Sequence, residues 1–171
     1  MSRTLCLWIA QGFGVGRIPF APGTFGSVLG LGWFVLLASF HNPWVLALGT
    51  LAGFALSVWL CGLGERFLGR TDPGSVVLDE ITAMPFCFFS WAGLLYWRAG
   101  SWPGLPSFFC AGKWALTAGV FALFRFFDVT KPWPVGRSQS LPGGWGVTTD
   151  DFLAAVYVNL VVSIVWLIAR W

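Results

Sequence analysis

Charged residues are scarce in this sequence. Asp, Glu, Lys and Arg together make up 10% of its 171 residues, whereas a soluble domain typically carries about 25%. Hydrophobic residue types reach 57%. The Lys and Arg residues are scattered singly, so the basic run or stripe of a nucleic-acid-binding protein is absent. This composition is typical of a chain that is surrounded by lipid, and it indicates neither a nucleic-acid partner nor a protein partner.

The residues of several covalent catalytic mechanisms are also missing. Cys61 and Arg66 lack the spacing of a cysteine-dependent phosphatase, His41 is the only histidine, and no DxD motif occurs. The cysteines form no CxxC pair, and each lies in or beside an apolar stretch, where a free cysteine acts as a small hydrophobic residue. Among hydrolytic mechanisms, metal-assisted attack by water remains.

Five apolar stretches follow one another along the chain. They cover residues 26–40, 43–63, 81–97, 114–127 and 152–168. A straight spanning helix needs about 20 apolar residues, within a range of about 17–25. The second, third and fifth stretches meet that length, and the other two are short. We therefore predict an all-α, polytopic membrane protein with about five spanning or near-spanning helices in one domain, residues 1–171.

Five spans divide the loops between two sides of a membrane. The N-terminus and the loops at residues 64–80 and 128–151 carry most of the Lys and Arg residues, while Arg98, Lys113 and Arg170 lie on the other side. The positive-inside rule places the richer side in the cytoplasm. Every acidic residue falls on that same side: Glu65, Asp72, Asp79, Glu80, Asp128, Asp150 and Asp151.

Two pairs of adjacent acids open apolar stretches. Asp79-Glu80 precedes the third stretch and Asp150-Asp151 precedes the fifth, while Asp128 ends the fourth. Helix capping, for example by Thr148, Thr149 or Asp150, explains one such residue per helix. Adjacent carboxylates repel one another unless something neutralises them, and Mg²⁺ prefers oxygen ligands. We therefore expect a metal site, with capping alone as the alternative. The expected ligands are Asp79, Glu80, Asp128, Asp150 and Asp151.

Arg125, Asp128 and Lys131 are spaced three apart, so they share a helix face. Pro132 follows at once, which places Lys131 at the helix boundary, because the residue before a proline avoids the α region. These residues form either an exposed ion network, which contributes little stability, or a metal ligand between two phosphate-binding cations. The spacing alone leaves both interpretations open.

Residues 12–27 read GFGVGRIPFAPGTFGS and lead into a helix. Backbone N–H groups at such a start can bind an anion. The stretch is not a Walker A loop, because the Gly-Lys-Ser/Thr ending is missing.

Four stretches together resemble the phosphatidylglycerophosphatase A family. They are GFGVGRIPFAPGTFGS from Gly12, DPGSVVLDE from Asp72, FRFFDVTKPWP from Phe124 and GGWGVTTDD from Gly143. Each motif alone is modest, but the four in this order are specific and cover most of the chain. At Ala83 and Ala155 the family often has glycine. These two differences affect helix packing, and they leave the acidic motif residues unchanged.

The resemblance implies Mg²⁺-dependent hydrolysis of phosphatidylglycerophosphate to phosphatidylglycerol and phosphate, in bacterial anionic phospholipid synthesis. It implies a multi-pass protein of the bacterial inner membrane, and the five acids named above fall on the family's acidic motif positions. With the cytoplasmic side inferred from the basic residues, the active site would face the cytoplasm. The partners are then a lipid phosphate substrate and the membrane.

From both lines of reasoning we expect Asp79, Glu80, Asp128 and Asp150 to be catalytic, with Asp79 or Asp150 as the general base. The expected phosphate-binding residues are Arg17, Thr24, Ser27, Arg125 and Lys131, together with backbone N–H groups of a turn at residues 23–27. Three alternatives stay open: a phosphatase of another lipid phosphate, such as a prenyl or diacylglycerol phosphate; a small cation transporter; and a lipid-binding subunit without catalysis.

Overall fold

The structure, a computed structural model, describes residues 2–169, and within that range it is helical with no β-strand. Its α-helices are α1 (Arg3–Ala10), α2 (Pro22–Ala38), α3 (Pro43–Leu68), α4 (Leu78–Ala83), α5 (Phe89–Ala99), α6 (Pro106–Phe109), α7 (Trp114–Thr130), α8 (Val135–Ser138) and α9 (Gly144–Ala169). Short 3-10 segments cover Gly12–Arg17 and Met84–Phe88. The all-α prediction is confirmed. Arg170, which entered the predicted topology, lies outside the described residues.

Two helices are long and apolar enough to cross a membrane. These are α3 and α9, each of 26 residues. Helix α2 is apolar but has only 17 residues. The prediction of about five spanning helices therefore stays a prediction, whereas the length and composition of α3 and α9 indicate a membrane-associated protein.

The third apolar stretch is not one continuous helix. It is divided into α4, the 3-10 segment and α5, and Pro85 lies in the break, where it has no backbone N–H to donate. The Asn159 side chain of α9 bridges this break. Its Oδ1 accepts a hydrogen bond from the Ser90 N–H at 2.7 Å, and its Nδ2 donates to the Phe86 carbonyl at 2.8 Å. An unbroken α-helix would join these two backbone groups directly.

Glycines of α2 allow this helix to pack closely on α4. A Cβ atom at Gly26 would lie 2.9 Å from the Cβ of Val77, and one at Gly30 would lie 2.6 Å from the Cβ of Met84. Small residues at such spacing let two helix backbones approach each other. The glycine-rich stretch therefore brings the start of α2 against the start of α4, where Asp79 and Glu80 lie.

Helix α9 begins at Gly144, two turns earlier than the fifth apolar stretch. A Cβ atom at Gly144 would overlap the Val58 carbonyl oxygen of α3. Further along, the Thr148 and Ser57 hydroxyl groups lie 3.0 Å apart in a buried hydrogen bond. The expected capping by Thr148, Thr149 or Asp150 is therefore wrong, because these residues lie inside the helix and the contact with α3 holds its first turns.

Apolar side chains fill the interior away from the acids. Phe34 of α2 and Phe88 stack with their ring centroids 3.9 Å apart, and Phe108 and Phe124 are fully buried in the same core. A smaller core lies between α1 and α3. All four cysteines are free, as expected. Three of them are buried, and Cys110 is exposed.

Candidate active site

One polar cavity of about 270 Å³ lies where four elements meet: the start of α2, the start of α4, the end of α7 and the first turns of α9. Its ionisable lining residues are Asp72, Asp79, Glu80, Arg125, Asp128, Lys131, Asp150 and Asp151. Residues far apart in the chain thus come together, and the structure brings all five acids of the expected metal site to this cavity.

Three of these acids converge more closely than the others. One carboxylate oxygen from each of Asp79, Glu80 and Asp151 lies within 4.8 Å of the other two. Asp79 and Glu80 occupy the first turn of α4, and Asp151 lies in the second turn of α9. Asp79 and Asp151 are buried. This acidic triad could hold a metal ion.

The electrostatics of the triad fit a divalent cation. Burial, and then the charge of Glu80, raises the pKa of Asp79 well above its ordinary value. Burial also raises the pKa of Glu80 to about 7; the charge of Asp128 adds to this, while a hydrogen bond with Asp79 and the charge of Arg125 oppose it. Oxygen Oε2 of Glu80 is buried without a hydrogen-bond partner among the described residues. Three crowded carboxylates are the ligand set of a hard cation rather than of Zn²⁺.

The other two acids are paired with cations. Arg125 Nη1 donates to Asp128 Oδ2 at 2.5 Å and lies 3.8 Å from Glu80 Oε1. Lys131 Nζ donates to Asp150 Oδ2 at 2.7 Å. The side chains of Arg125 and Asp128 are only 19% and 12% exposed. The exposed ion network that spacing left open is therefore wrong, because these side chains line a cavity.

Lys131 is held in its charged state. Burial acts to lower its pKa, but the hydrogen bond and the charge of Asp150, together with Asp72, outweigh burial and raise the pKa above its ordinary value. Lys131 therefore offers the cavity a permanent positive charge.

Three non-glycine residues around the cavity have left-handed backbone conformations. Ala21, Asp72 and Lys131 have φ values of 46°, 46° and 43°, a region that costs free energy and tends to occur at functional sites. Lys131 directly follows the last residue of α7, which confirms its predicted place at the helix boundary. The left-handed turn there ends the helix beside Asp150.

Of the expected phosphate-binding residues, Arg125 and Lys131 line the cavity, and the other three do not. Ser27 contacts Arg125 rather than the cavity: Arg125 Nη1 donates to the Ser27 hydroxyl at 3.4 Å. Arg17 and Thr24 do not line the cavity; Arg17 is exposed and donates to Gln11 Oε1 at 2.9 Å. Residues 23–27 form the start of α2 rather than a turn, and the N–H groups of Thr24 and Phe25 donate to the Ala21 carbonyl. Those two donors are therefore already used.

Sequence reasoning missed Asp72 and Gln139. Asp72 lines the cavity rim, where its Oδ2 accepts from Gln139 Nε2 at 3.1 Å and lies 3.8 Å from Lys131 Nζ. Gly23 also lines the cavity, and a Cβ there would overlap Glu80 Oε1. The acidic side chain in the Asp-Pro-Gly turn was a signal for Asp72, whereas nothing in the sequence distinguished Gln139.

The chain is similar to several bacterial proteins over most of its length. The family model for phosphatidylglycerophosphatase A matches residues 8–166. Phosphatidylglycerophosphatase A of Haemophilus influenzae is 36% identical over 155 residues, 90% of this chain and 84% of the relative. Phosphatidylglycerophosphatase A of Escherichia coli is 33% identical over 150 residues, 86% of this chain and 76% of the relative.

A third relative carries a different name. A Bacteroides thetaiotaomicron protein with the provisional name phosphatidylinositol-3-phosphatase is 34% identical over 169 residues, 95% of this chain and 92% of the relative. No solved structure matches the chain. The match of the family model over residues 8–166, with relatives above 30% identity, shows that this chain belongs to the phosphatidylglycerophosphatase A family.

Proposed function

We propose that the protein hydrolyses the phosphomonoester of phosphatidylglycerophosphate to phosphatidylglycerol and inorganic phosphate, with Mg²⁺ as cofactor. One observation carries this proposal: a single cavity places the Asp79–Glu80–Asp151 triad beside two cations, Arg125 and Lys131. A metal ion and fixed positive charge both stabilise the oxygens of a phosphomonoester as it is hydrolysed. The names of the Haemophilus and Escherichia relatives supply the headgroup.

In this proposal the five acids have two different tasks. Asp79, Glu80 and Asp151 would hold the cation, and the buried Glu80 Oε2, which has no partner among the described residues, would be free to bind it. A bound Mg²⁺ neutralises phosphate oxygens and makes a water molecule more acidic. Asp128 and Asp150 instead hold Arg125 and Lys131 in position through their ion pairs, and Asp150 also has the task of general base.

The phosphate lies between the two cations and the start of α2. Arg125 and Lys131 bind its oxygens, and the positive end of the α2 dipole adds attraction for an anion. Asp150 is the general base in this arrangement: it accepts a proton from the attacking water as the bond between phosphorus and the glycerol oxygen breaks. Asp150 then returns a proton to that glycerol oxygen, so phosphatidylglycerol leaves neutral at its new hydroxyl group.

We further propose that residues 1–171 form one membrane domain of about five spanning or near-spanning helices in the bacterial inner membrane. The apolar helices α3 and α9 support it. So do the outward-facing indoles of Trp44 and Trp97, which are 72% and 80% exposed. The cavity would face the cytoplasm, the side inferred from the basic residues. A lipid headgroup could then enter it while the acyl chains stay in the bilayer.

The test is phosphate release from phosphatidylglycerophosphate by purified protein in detergent micelles. We expect release with Mg²⁺, loss of release with EDTA, and recovery when excess Mg²⁺ is added back. Release that persists with EDTA would contradict the metal site. Absence of release from folded protein at every Mg²⁺ concentration would contradict the substrate.

A phosphatase for another lipid phosphate is the second candidate, because one relative of 34% identity is named for an inositol lipid. The polar rim around Asp72, Gln139 and Lys131 is where headgroups of different size would be distinguished. A panel of phosphatidylglycerophosphate, phosphatidylinositol 3-phosphate and phosphatidic acid, assayed at equal surface concentration, separates the two candidates. The larger kcat/KM identifies the preferred headgroup.

A further inference from the structure

An apolar crevice lies between α7 and α9, farther along both helices from the acidic cavity. It is lined on α7 by Leu116, Gly119 and Leu123, on α9 by Val161 and Val165, and Trp91 closes one wall. We propose that this crevice binds one acyl chain of the lipid whose phosphate occupies the cavity, an inference that rests on the function proposed above.

The position of the crevice connects it to the cavity. Helix α7 carries Arg125 and Asp128 near its end, and α9 carries Asp150 and Asp151 near its start, so the two helices run antiparallel away from the acids. Helix geometry puts Leu123 about 7 Å and Ala115 about 20 Å from Asp128 along the axis, at 1.5 Å per residue. One leaflet of bilayer hydrocarbon is about 15 Å deep, half of about 30 Å. The α9 wall is deeper, with Val161 about 16 Å and Val165 about 22 Å beyond Asp150 on the same scale. The crevice therefore lies within reach of the distal part of a long acyl chain whose headgroup is in the cavity.

The size of the crevice fits part of a single chain. Its volume is about 160 Å³, and an apolar cavity of about 150 Å³ is known to take up a benzene molecule. A section of roughly six carbon atoms of one chain would fill it on that scale. The walls are aliphatic or aromatic, so they exclude headgroups and accept hydrocarbon.

Gly119 leaves one wall of the crevice open. A Cβ atom at Gly119 would meet no atom within 4 Å, whereas the glycines at positions 26 and 30 are in close helix contact. A side chain at position 119 would therefore begin in open space at the wall of the crevice. Gly32 of α2 is equally free of neighbours and lines none of the described cavities, which makes it a matched control.

Two further apolar pockets lie along α3 and α5 and share Ala47 and Phe89, and one of them extends to Phe152 of α9. Neither α3 nor α5 carries a cation of the acidic cavity. The crevice between α7 and α9 is the better candidate, because α7 carries Arg125, which would bind the phosphate, and α9 carries Asp150 and Asp151 of the same cavity.

The first experiment compares acyl-chain length in three proteins: wild type, Gly119→Leu and Gly32→Leu. The substrates are dihexanoyl and dipalmitoyl phosphatidylglycerophosphate. We expect Gly119→Leu to lower the ratio of long-chain to short-chain kcat/KM at least fivefold, with short-chain turnover within about twofold of wild type. Gly32→Leu should leave the ratio unchanged. An unchanged ratio in active Gly119→Leu would overturn the inference, whereas a wild type that hydrolyses neither lipid would contradict the proposed function instead.

Photolabelling tests the crevice without relying on turnover. The probe is phosphatidylglycerol with a diazirine in the middle of one acyl chain, in mixed micelles with the full chain. We expect labelled peptides from residues 115–123 and 161–166, with at least threefold less label in Gly119→Leu than in Gly32→Leu. Label spread evenly over the apolar helices, or concentrated on α3 and α5, would overturn the inference.

Discussion

A Cβ atom on Gly23 would overlap Oε1 of Glu80, and it would lie 3.2 Å from both terminal nitrogens of Arg125. The start of α2 therefore lies directly against a carboxylate of the triad and the cation beside it. Only a residue without a side chain fits there without moving those groups. The glycine is required by this close approach.

We expect Gly23→Ala to reduce phosphate release at least tenfold, because the new methyl group pushes Glu80 and Arg125 out of place. The matched control is Gly32→Ala on the same helix, where a Cβ meets no atom within 4 Å. Alanine there should preserve activity and raise stability slightly, by up to about 1 kcal/mol. Activity and thermal unfolding in micelles measure the two effects, and equal activity in both variants would contradict the close contact.

The division of the acids predicts different defects for Asp151→Asn and Asp128→Asn. Loss of a triad carboxylate should weaken Mg²⁺ binding at least tenfold, measured as the concentration dependence of thermal stabilisation. Loss of Asp128 should leave Mg²⁺ binding within about threefold, but it frees Arg125 and should raise KM for the lipid phosphate. The same loss of Mg²⁺ affinity in both variants would mean that Asp128 is also a ligand.

The raised pKa of Glu80, about 7, predicts that Mg²⁺ affinity depends on pH. A carboxyl group must lose its proton to bind a cation, so protons compete with the metal below that pKa. Affinity should therefore fall as pH decreases from 8 to 6, approaching a tenfold loss per pH unit for each proton displaced. Calorimetric Mg²⁺ titrations at pH 6, 7 and 8 measure this, and in Glu80→Gln the dependence should be weaker. Affinity independent of pH in wild type would show that Glu80 is already ionised.

Asn159→Leu should destabilise the protein by about 1–3 kcal/mol. This is the usual cost when buried polar groups lose their partners, and here the Phe86 carbonyl and the Ser90 N–H lose the bridging amide. Ser163→Ala is the control on the same helix, since the Ser163 hydroxyl donates to the Asn159 carbonyl of its own helix. Thermal unfolding in micelles compares them. An Asn159→Leu variant as stable as wild type would indicate that the Phe86 carbonyl and the Ser90 N–H find other partners without the Asn159 amide.

The helical fold class, the end of α7 and the family follow from local properties of the sequence. Long apolar stretches favour helices in lipid because every backbone group is then paired within its own segment, and the structure is all helical over residues 2–169. Pro132 determined that α7 ends just before Lys131, since the constraint acts between neighbours. The four motifs in order indicated the family, which the comparisons confirm.

Other features depend on contacts between distant residues. Pro85 marks the break in the third stretch, but only the position of Asn159, about seventy residues later, lets the break exist without unpaired backbone groups. The start of α9 was predicted too late, because it depends on the close approach of Gly144 to α3.

The sequence by itself determined that five acids open or end apolar segments, and hydropathy together with the positive-inside rule predicts that they lie on one side of the membrane. Only the tertiary structure decided how they divide: Asp79, Glu80 and Asp151 converge on one another, while Asp128 and Asp150 each pair with a cation. The physical reason is that a carboxylate's neighbours depend on helix rotation and on the distance between helix axes. In this protein those are governed by close glycine contacts such as Gly26 against Val77.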